Sequence, residues 1–449
     1  MRASRYNFFV KDNKKTIWFN GLSGRVFSAT PSEHGILKNV LTNPNLSTNN
    51  PYLVHWLKLN RFLVDRNTNE VEEYKSLNRQ EVFSNQYELV LNPTLECNFK
   101  CWYCYQKHIQ GHMSNDTIGR IKKFIEKIVI EKLFKEFSLS WFGGEPLLYF
   151  DKVMYPLAFY IKKLMNKNNI VFKHSITTNG FLINTEMIKK FDDIDLRSFQ
   201  ITLDGDRESH NKTRNQNGQP SYDTIVKNIT VICNELTNST VILRINYTDE
   251  IISKNYSNIL SVFPENIRSQ IRVCFQRVWQ TNNHSNNVDL KRNTSVAGDM
   301  GFSVLDQYRV KRAHVCYADK YNYAHINFDG KVFKCTAQNY TIEEAMGELC
   351  DDGIIEWKNG IIEELYSKSN FENEHCLKCK KLPICGGPCM RKARDFREGK
   401  TKNVCIDTCR EIKVDSFVRE YYKSAKKKCK KERIGAWLNS VEFDKTIKT

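Results

Sequence analysis

Cys97-Asn98-Phe99-Lys100-Cys101-Trp102-Tyr103-Cys104 is the stretch from which the rest of the chain is read. It places three thiols within eight residues. The β-prone run Tyr87–Leu91 comes shortly before it, so the thiols fall on a loop after a strand. A [4Fe–4S] cube takes four ligands, usually thiolates, so three cysteines leave one iron open. Structural zinc wants four closed ligands; His108 is available as a fourth, and ligand count alone leaves zinc open.

Outward from that loop the pattern is strand–helix alternation. Strand candidates are Tyr87–Leu91, Phe137–Phe142, Val171–Thr177, Ser198–Leu203, Val241–Ile245 and Ile271–Phe275. Helical periodicity lies between them, as in Ile118, Ile121, Phe124, Ile125 and Ile128. Six parallel strands with crossover helices predict an α/β fold, a partial (β/α)6 TIM-like barrel over 86–290. Chemistry in such folds sits at the strand C-terminal ends. The first cysteine loop lies there, as do Gly143-Gly144-Glu145-Pro146 and Thr178-Asn179-Gly180.

The chain has 449 residues, 41% of them hydrophobic, so it can bury a core and is not wholly disordered. No apolar run reaches membrane-span length and the N-terminus lacks a secretory pattern, so the expected location is cytoplasmic, with no membrane partner. In a reducing compartment, 15 clustered cysteines point to metal or redox chemistry rather than disulfides. The net charge of +17 suits an acidic peptide, an anionic cofactor or merely a solvated surface. No zinc-finger or helix-turn-helix spacing supports a nucleic-acid partner.

Residues 1–85 read as a separate winged-helix-like module. Tyr6–Val10, Thr16–Phe19 and Arg25–Ala29 are strand candidates. A helix follows, capped by Thr30 with Glu33 completing a capping box. A second helix starts near Pro51 and is expected to bury Leu53, Trp56, Leu57 and Leu63. Residues 291–310 read as a polar linker, 311–415 as a cysteine-rich domain and 416–449 as a basic helical tail. Cys233 and Cys274 read as buried small hydrophobes rather than ligands.

The CxxxCxxC spacing after the first strand, followed in order by Gly143-Gly144-Glu145-Pro146 and Thr202-Leu203-Asp204-Gly205, resembles the radical S-adenosylmethionine (SAM) superfamily. The resemblance implies that Cys97, Cys101 and Cys104 hold a [4Fe–4S] cluster whose open iron takes SAM. It implies that Gly143, Gly144, Glu145 and Pro146 meet the SAM amino group and that Thr202 and Arg214 hold its carboxylate. Tyr103 would lie near the adenine, with backbone help from Thr178, Asn179 and Asn246. Reductive cleavage would give methionine and a 5′-deoxyadenosyl radical that abstracts hydrogen. An electron donor such as ferredoxin or flavodoxin is implied. No side chain is assigned as catalytic acid or base.

Cys316-X13-Gly330-X4-Cys335, then Cys376-X2-Cys379-X5-Cys385-X3-Cys389 and a later cysteine, resembles the SPASM domain with its two auxiliary [4Fe–4S] clusters. The C-terminal domain is therefore expected to be an iron–sulfur domain, and the chain to hold three clusters. By that resemblance Cys316, Cys335 and Cys389 bind the first auxiliary cluster. Cys376, Cys379 and Cys385 bind the second, with Cys405 completing it and Cys409 in reserve. The stretch Tyr308–Arg312 lacks the extra cysteine of some family members, so the first auxiliary cluster is completed by Cys350 or open at one iron.

The family includes peptide maturases and formylglycine-forming sulfatase maturases. The latter carry an aspartate directly after the equivalent of Cys335, where this chain has Thr336. The N-terminal module resembles an element that binds a precursor's leader peptide by strand addition. The expected function is thus a maturase of a ribosomally made precursor peptide, installing a thioether or carbon–carbon crosslink. The alternatives are a formylglycine-type enzyme, a small-molecule radical enzyme and, remotely, a zinc-stabilised nucleic-acid-binding protein.

Overall fold

Capping chemistry sets the first helix. In the computed structural model, which describes residues 1–46, 50–131, 134–278, 280–281, 287–304, 315–405 and 414–431, the helix α1 (Pro31–Thr42) starts at Thr30. Thr30 N donates to Glu33 Oε2 at 2.6 Å, and Thr30 Oγ1 accepts from Glu33 N at 3.4 Å, as the capping box requires. Ahead of it lie β1 (Asn7–Asp12), β2 (Lys15–Asn20) and β3 (Val26–Ala29), an antiparallel sheet in the order β1-β2-β3. Helices α2 (Pro51–Leu59) and α3 (Glu70–Val82) follow. Leu63 lies beyond α2, in a two-residue strand paired with Arg2–Ala3, and Trp56 is only half-buried. Helix α3 had no counterpart in the sequence reading.

The chain divides into two units. Met1–Phe83 joins Asp306–Tyr321 and Glu363–Thr449 in one; Ser84–Leu305 with Asn322–Ile362 makes the other.

The second unit is α/β. Its strands are β4 (Gln86–Leu91), β5 (Glu136–Trp141), β6 (Val171–Thr178), β7 (Ser198–Thr202), β8 (Thr240–Tyr247), β9 (Ile271–Arg277), β10 (Ser303–Val304), β11 (Tyr323–Ile326), β12 (Lys331–Phe333), β13 (Gly347–Leu349) and β14 (Ile355–Trp357). They form one sheet in the order β10-β9-β8-β7-β6-β5-β4-β11-β12-β13-β14. From β10 to β11 every neighbour is parallel; β12, β13 and β14 add on antiparallel. Among the described residues the two ends of the sheet do not pair, so the sheet is open.

All six expected strands are present. The parallel set also continues at both edges, through β10 and β11. Residues 291–304, read as linker, are instead mostly helix (Asn287–Asp299) followed by edge strand β10. Asn293 is buried there and donates to the Ile252 carbonyl at 2.6 Å. Residues 305–310 of that linker lie outside the described residues. The stretch 311–415 is likewise not one body: 322–362 extends the large sheet.

Strand periodicity explains the core. Leu89, Leu139, Ile176, Ile201, Leu243 and Val273 are buried with Ile121 and Ile125 of the crossover helix α4 (Asn115–Ile130). The alternate residues Ser138, Ser140, Ser175, Thr177, Gln200 and Arg244 are half-buried on the opposite face. Cys233 is buried as expected, whereas Cys274 is half-buried on the polar face, in register with Arg244.

The first unit has its own cores. Phe8 and Phe19 pack with Phe417, Val418 and Tyr422 of a C-terminal helix, Val414–Lys431. The expected basic tail is therefore partly core, because every third or fourth residue of that helix is aromatic or aliphatic. Residues 432–449 lie outside the described residues.

Burial fixes three neutral imidazoles in the α/β unit. His174 Nδ1 donates to the Ile194 carbonyl at 2.8 Å and its Nε2 accepts from Trp141 Nε1 at 2.7 Å. Desolvation holds its pKa down to about 4, and those of His210 and His325 to about 3. Each folded-state pKa lies below the unfolded value, so the unfolded chain binds more protons as pH falls through 6.5. The stability these groups contribute is present above that pH and is lost toward the folded pKa. His174→Gln, which does not protonate, is expected to lose about 2 kcal/mol less stability than the parent between pH 7 and 5, measured by urea unfolding.

Leu139→Ala is expected to cost about 2–5 kcal/mol and Ser138→Ala less than about 1 kcal/mol in the same measurement. Equal costs would contradict the two-faced sheet.

Candidate functional site

The first cysteine loop follows β4, and Gly143-Gly144-Glu145 follows the neighbouring parallel strand β5. Register Leu91↔Trp141 brings the two loops side by side. Glu145 N donates to the Glu96 carbonyl at 2.7 Å, directly before Cys97. Gly144 N donates to Gln106 Oε1 at 2.8 Å, just beyond Cys104. The Gly144 backbone, at φ +48°, leaves no room for a side chain: a Cβ there would lie 2.0 Å from the Glu96 carbonyl oxygen. Gly143 meets Asn92 in the same way, at 2.5 Å.

Within the loop, Cys104 N donates to the Cys101 carbonyl at 3.0 Å and Phe99 N donates to Cys97 Sγ at 3.4 Å. Cys97 and Cys101 are partly buried and Cys104 is exposed. Burial, with the Glu145 charge nearby, pushes the Cys97 thiol up to about 12. Burial also raises Cys101, against the pull of Arg214. Among the described residues no three His, Cys, Asp or Glu groups converge on a single ion. A four-iron cube takes one thiolate per iron, so its thiolates surround the cube rather than one ion.

Glu145 is buried, with Oε1 accepting from Thr178 Oγ1 at 2.7 Å and Oε2 from Asn179 N at 2.7 Å. These donors come from the C-terminal end of β6. Burial pushes the carboxyl above its usual range, against the pull of those donors and of Arg214. Pro146 opens a short 3-10 turn that keeps the Glu145 backbone extended.

Arg214 is buried. Its Nη1 donates to Tyr103 Oη at 2.8 Å, and Tyr103 Oη donates in turn to Asp204 Oδ2. Asn246 N donates to Asp204 Oδ1 at 3.1 Å and Asn246 Nδ2 to Tyr103 Oη at 3.1 Å. Thr202, at the end of β7, is buried two residues before Asp204. Two buried donors in this region have no partner among the described residues, Arg214 Nε and Asn98 Nδ2. Unpaired buried donors are costly and mark a place where an acceptor such as a carboxylate fits.

The structure thus brings together Cys97, Cys101, Tyr103, Glu145, Thr178, Asn179, Asp204, Arg214 and Asn246. Two placements differ from expectation. The Asn246 backbone N–H is already committed to Asp204, and Tyr103 Oη is held in the Arg214 network. Asp204, Glu96 and Gln106 were not named as site residues. Asp204 lay inside the quoted Thr202–Gly205 motif, whereas nothing in the spacing marks Gln106.

The other unit holds a separate cysteine site. Cys376, Cys379, Cys385 and Cys405 line one small, mainly apolar cavity with His375. Cys316 opens a turn whose Asp319 Oδ1 accepts from Met390 N at 3.2 Å, next to Cys389. Cys335 and Cys350 belong to the α/β unit, after β12 and β13. Cys350 Sγ lies 3.7 Å from Glu356 Oε2, and burial with that carboxylate raises its pKa. Cys409 and Tyr308–Arg312 lie outside the described residues.

Residues 91–253 match the Radical SAM superfamily model, so this stretch of the chain is similar to that superfamily. The radical SAM cyclopropyl synthase TigE of Paramaledivibacter caminithermalis is 29% identical over 194 residues, covering 38% of this chain and 39% of TigE. The chain thus spans about two-fifths of the length of such curated relatives. Native anSMEcpe with bound AdoMet and the Cp18Cys peptide aligns at a TM-score of 0.52 and 18% identity, over 75% of this chain and 95% of that one. Streptococcus suis SuiB bound to its precursor peptide SuiA aligns at 0.51 and 15% identity, over 91% and 99%. These two share the fold. No helix among the described residues is long and apolar enough to cross a membrane.

Gly144→Ala is expected to break the contact between the two loops. Hydrogen exchange in peptides covering 92–111 should quicken by about tenfold or more, as a side chain forced into a positive φ against a backbone oxygen costs more than about 1 kcal/mol.

Proposed function

We propose that this chain is a radical SAM peptide maturase with one SAM-binding [4Fe–4S] cluster and two auxiliary clusters. It acts on a ribosomally made precursor and installs a thioether or carbon–carbon crosslink. A guanidinium whose Nε has no acceptor among the described residues, two carboxylates and three thiols at the strand C-terminal ends support the SAM site. Cys97, Cys101 and Cys104 would hold the cluster. Arg214 with Thr202 would hold the carboxylate of SAM, and Glu145 its ammonium. When bound, this pair supplies a carbon-centred radical that takes a hydrogen atom from substrate. The chain's own part is to orient: Asp204 and Tyr103 fix the guanidinium, and Thr178 and Asn179 fix Glu145 before ligand arrives.

Cys376, Cys379, Cys385 and Cys405 would hold one auxiliary cluster. Cys316 and Cys389, which belong to the same unit, would contribute to the other. A ferredoxin- or flavodoxin-like protein would supply electrons.

The observation that carries peptide maturation is the small antiparallel sheet, in which β1 and β3 are both edges. Such edges accept an added strand, here the leader of the precursor, and this segment serves as the winged-helix-like reader. Thr336 offers no carboxylate where a formylglycine-forming enzyme needs one; its backbone carbonyl accepts from Tyr105 Oη at 3.0 Å.

The first test is chemical. Reduced, reconstituted protein should convert SAM to 5′-deoxyadenosine. The Cys97→Ala, Cys101→Ala, Cys104→Ala triple variant should lose about four irons and that activity. The second test adds the product of a neighbouring gene, where that gene encodes a short Cys-, Tyr- or Trp-rich peptide. Amides of β1 or β3 should exchange about tenfold more slowly. Modification with neither edge protected would contradict leader reading.

A further inference from the structure

The cavity lined by Cys376, Cys379, Cys385 and Cys405 includes one side chain that the cysteine spacing does not announce. His375 lies in the short helix Glu374–Lys378, whose cap Asn373 Oδ1 accepts from Cys376 N at 2.9 Å. That bond fixes His375 and Cys376 together. Cys405 is set from another segment, its N–H donating to Asn403 Oδ1 at 3.0 Å. Between the two, His375 Nε2 stands 3.1 Å from Cys405 Sγ.

The remaining cavity wall is Leu382, Gly387, Pro388 and Val404. None of these side chains offers a hydrogen-bond donor. Among the described residues lining the cavity, His375 alone carries a side-chain N–H. A thiolate bound to iron keeps sulfur lone pairs and negative charge. In an apolar wall the single donor has a disproportionate effect, because hydrogen bonds to the sulfurs and solvent exposure set cluster potentials. The imidazole is exposed.

We propose that His375 is a positioning residue of this auxiliary cluster. It donates an N–H···S hydrogen bond from Nε2 to the Cys405 sulfur, withdraws charge from that ligand and raises the reduction potential of this cluster above that of the same site without it. The proposal rests on the cluster assignment made above for these four cysteines.

The test uses full-length, anaerobically reconstituted protein as the parent and as His375→Leu, His375→Gln and Cys379→Ala. Iron and sulfide are measured, and midpoint potentials are followed by electron paramagnetic resonance during redox titration. Cys379→Ala should lose about four irons. His375→Leu should keep full iron and sulfide while one potential moves negative and the others stay. His375→Gln, whose amide donates, should move less. Unchanged potentials in His375→Leu overturn the proposal alone. So does loss of four irons in that variant, which would make the imidazole a ligand or a structural prop. Full iron in Cys379→Ala overturns the cluster assignment, and the proposal with it.

Discussion

Everything at the strand ends depends on one close approach of two backbones. Gly143 and Gly144 let the loop after β5 lie against Leu95–Glu96, and the Glu145 N–H bonds to the Glu96 carbonyl. The contact fixes both ends of the cysteine loop, at Glu96 and at Gln106. It also aims Glu145 into the buried region where Thr178 and Asn179 receive it. A loop carrying three thiols would otherwise sample many arrangements, and only a few present three corners to one cube.

Electrostatics builds on that geometry. Glu145, Asp204 and Arg214 are all buried, and burying isolated charges is costly unless they are paired. Two carboxylates face one guanidinium here. Asp204 offsets Arg214 through the Tyr103 hydroxyl, leaving Glu145 with neutral donors. An ammonium beside Glu145 and a carboxylate beside Arg214 Nε would complete both halves. An α-amino acid carries that pair of groups, so the site suits an amino-acid ligand through its charge pattern as well as its motif.

Much of this was legible in the sequence. Thr30 and Glu33 announced their capping box three residues apart, and six strands showed in their own runs of β-prone residues. The cysteine loop and Gly143–Pro146 declared their chemistry by spacing. What was not legible depends on pairing between distant segments. Ser303–Val304 is too short to be read as a strand, and exists because β9 offers a free edge. Tyr323–Ile326 reads as part of a cysteine domain until β4 captures it in parallel. Helix Asn287–Asp299 is polar along most of its length, so periodicity did not reveal it. His375 is a single residue whose partner lies thirty positions away, a contact no local spacing encodes.

The central claim is that the open corner of the first cluster takes SAM under the control of Arg214 and Glu145. The most direct measurement is the electron paramagnetic resonance spectrum of the reduced protein before and after SAM is added. The account predicts that the signal of one cluster changes on addition, and that Arg214→Gln abolishes the change at the same SAM concentration while iron content stays full. A spectrum that SAM leaves untouched in fully loaded parent protein would contradict it.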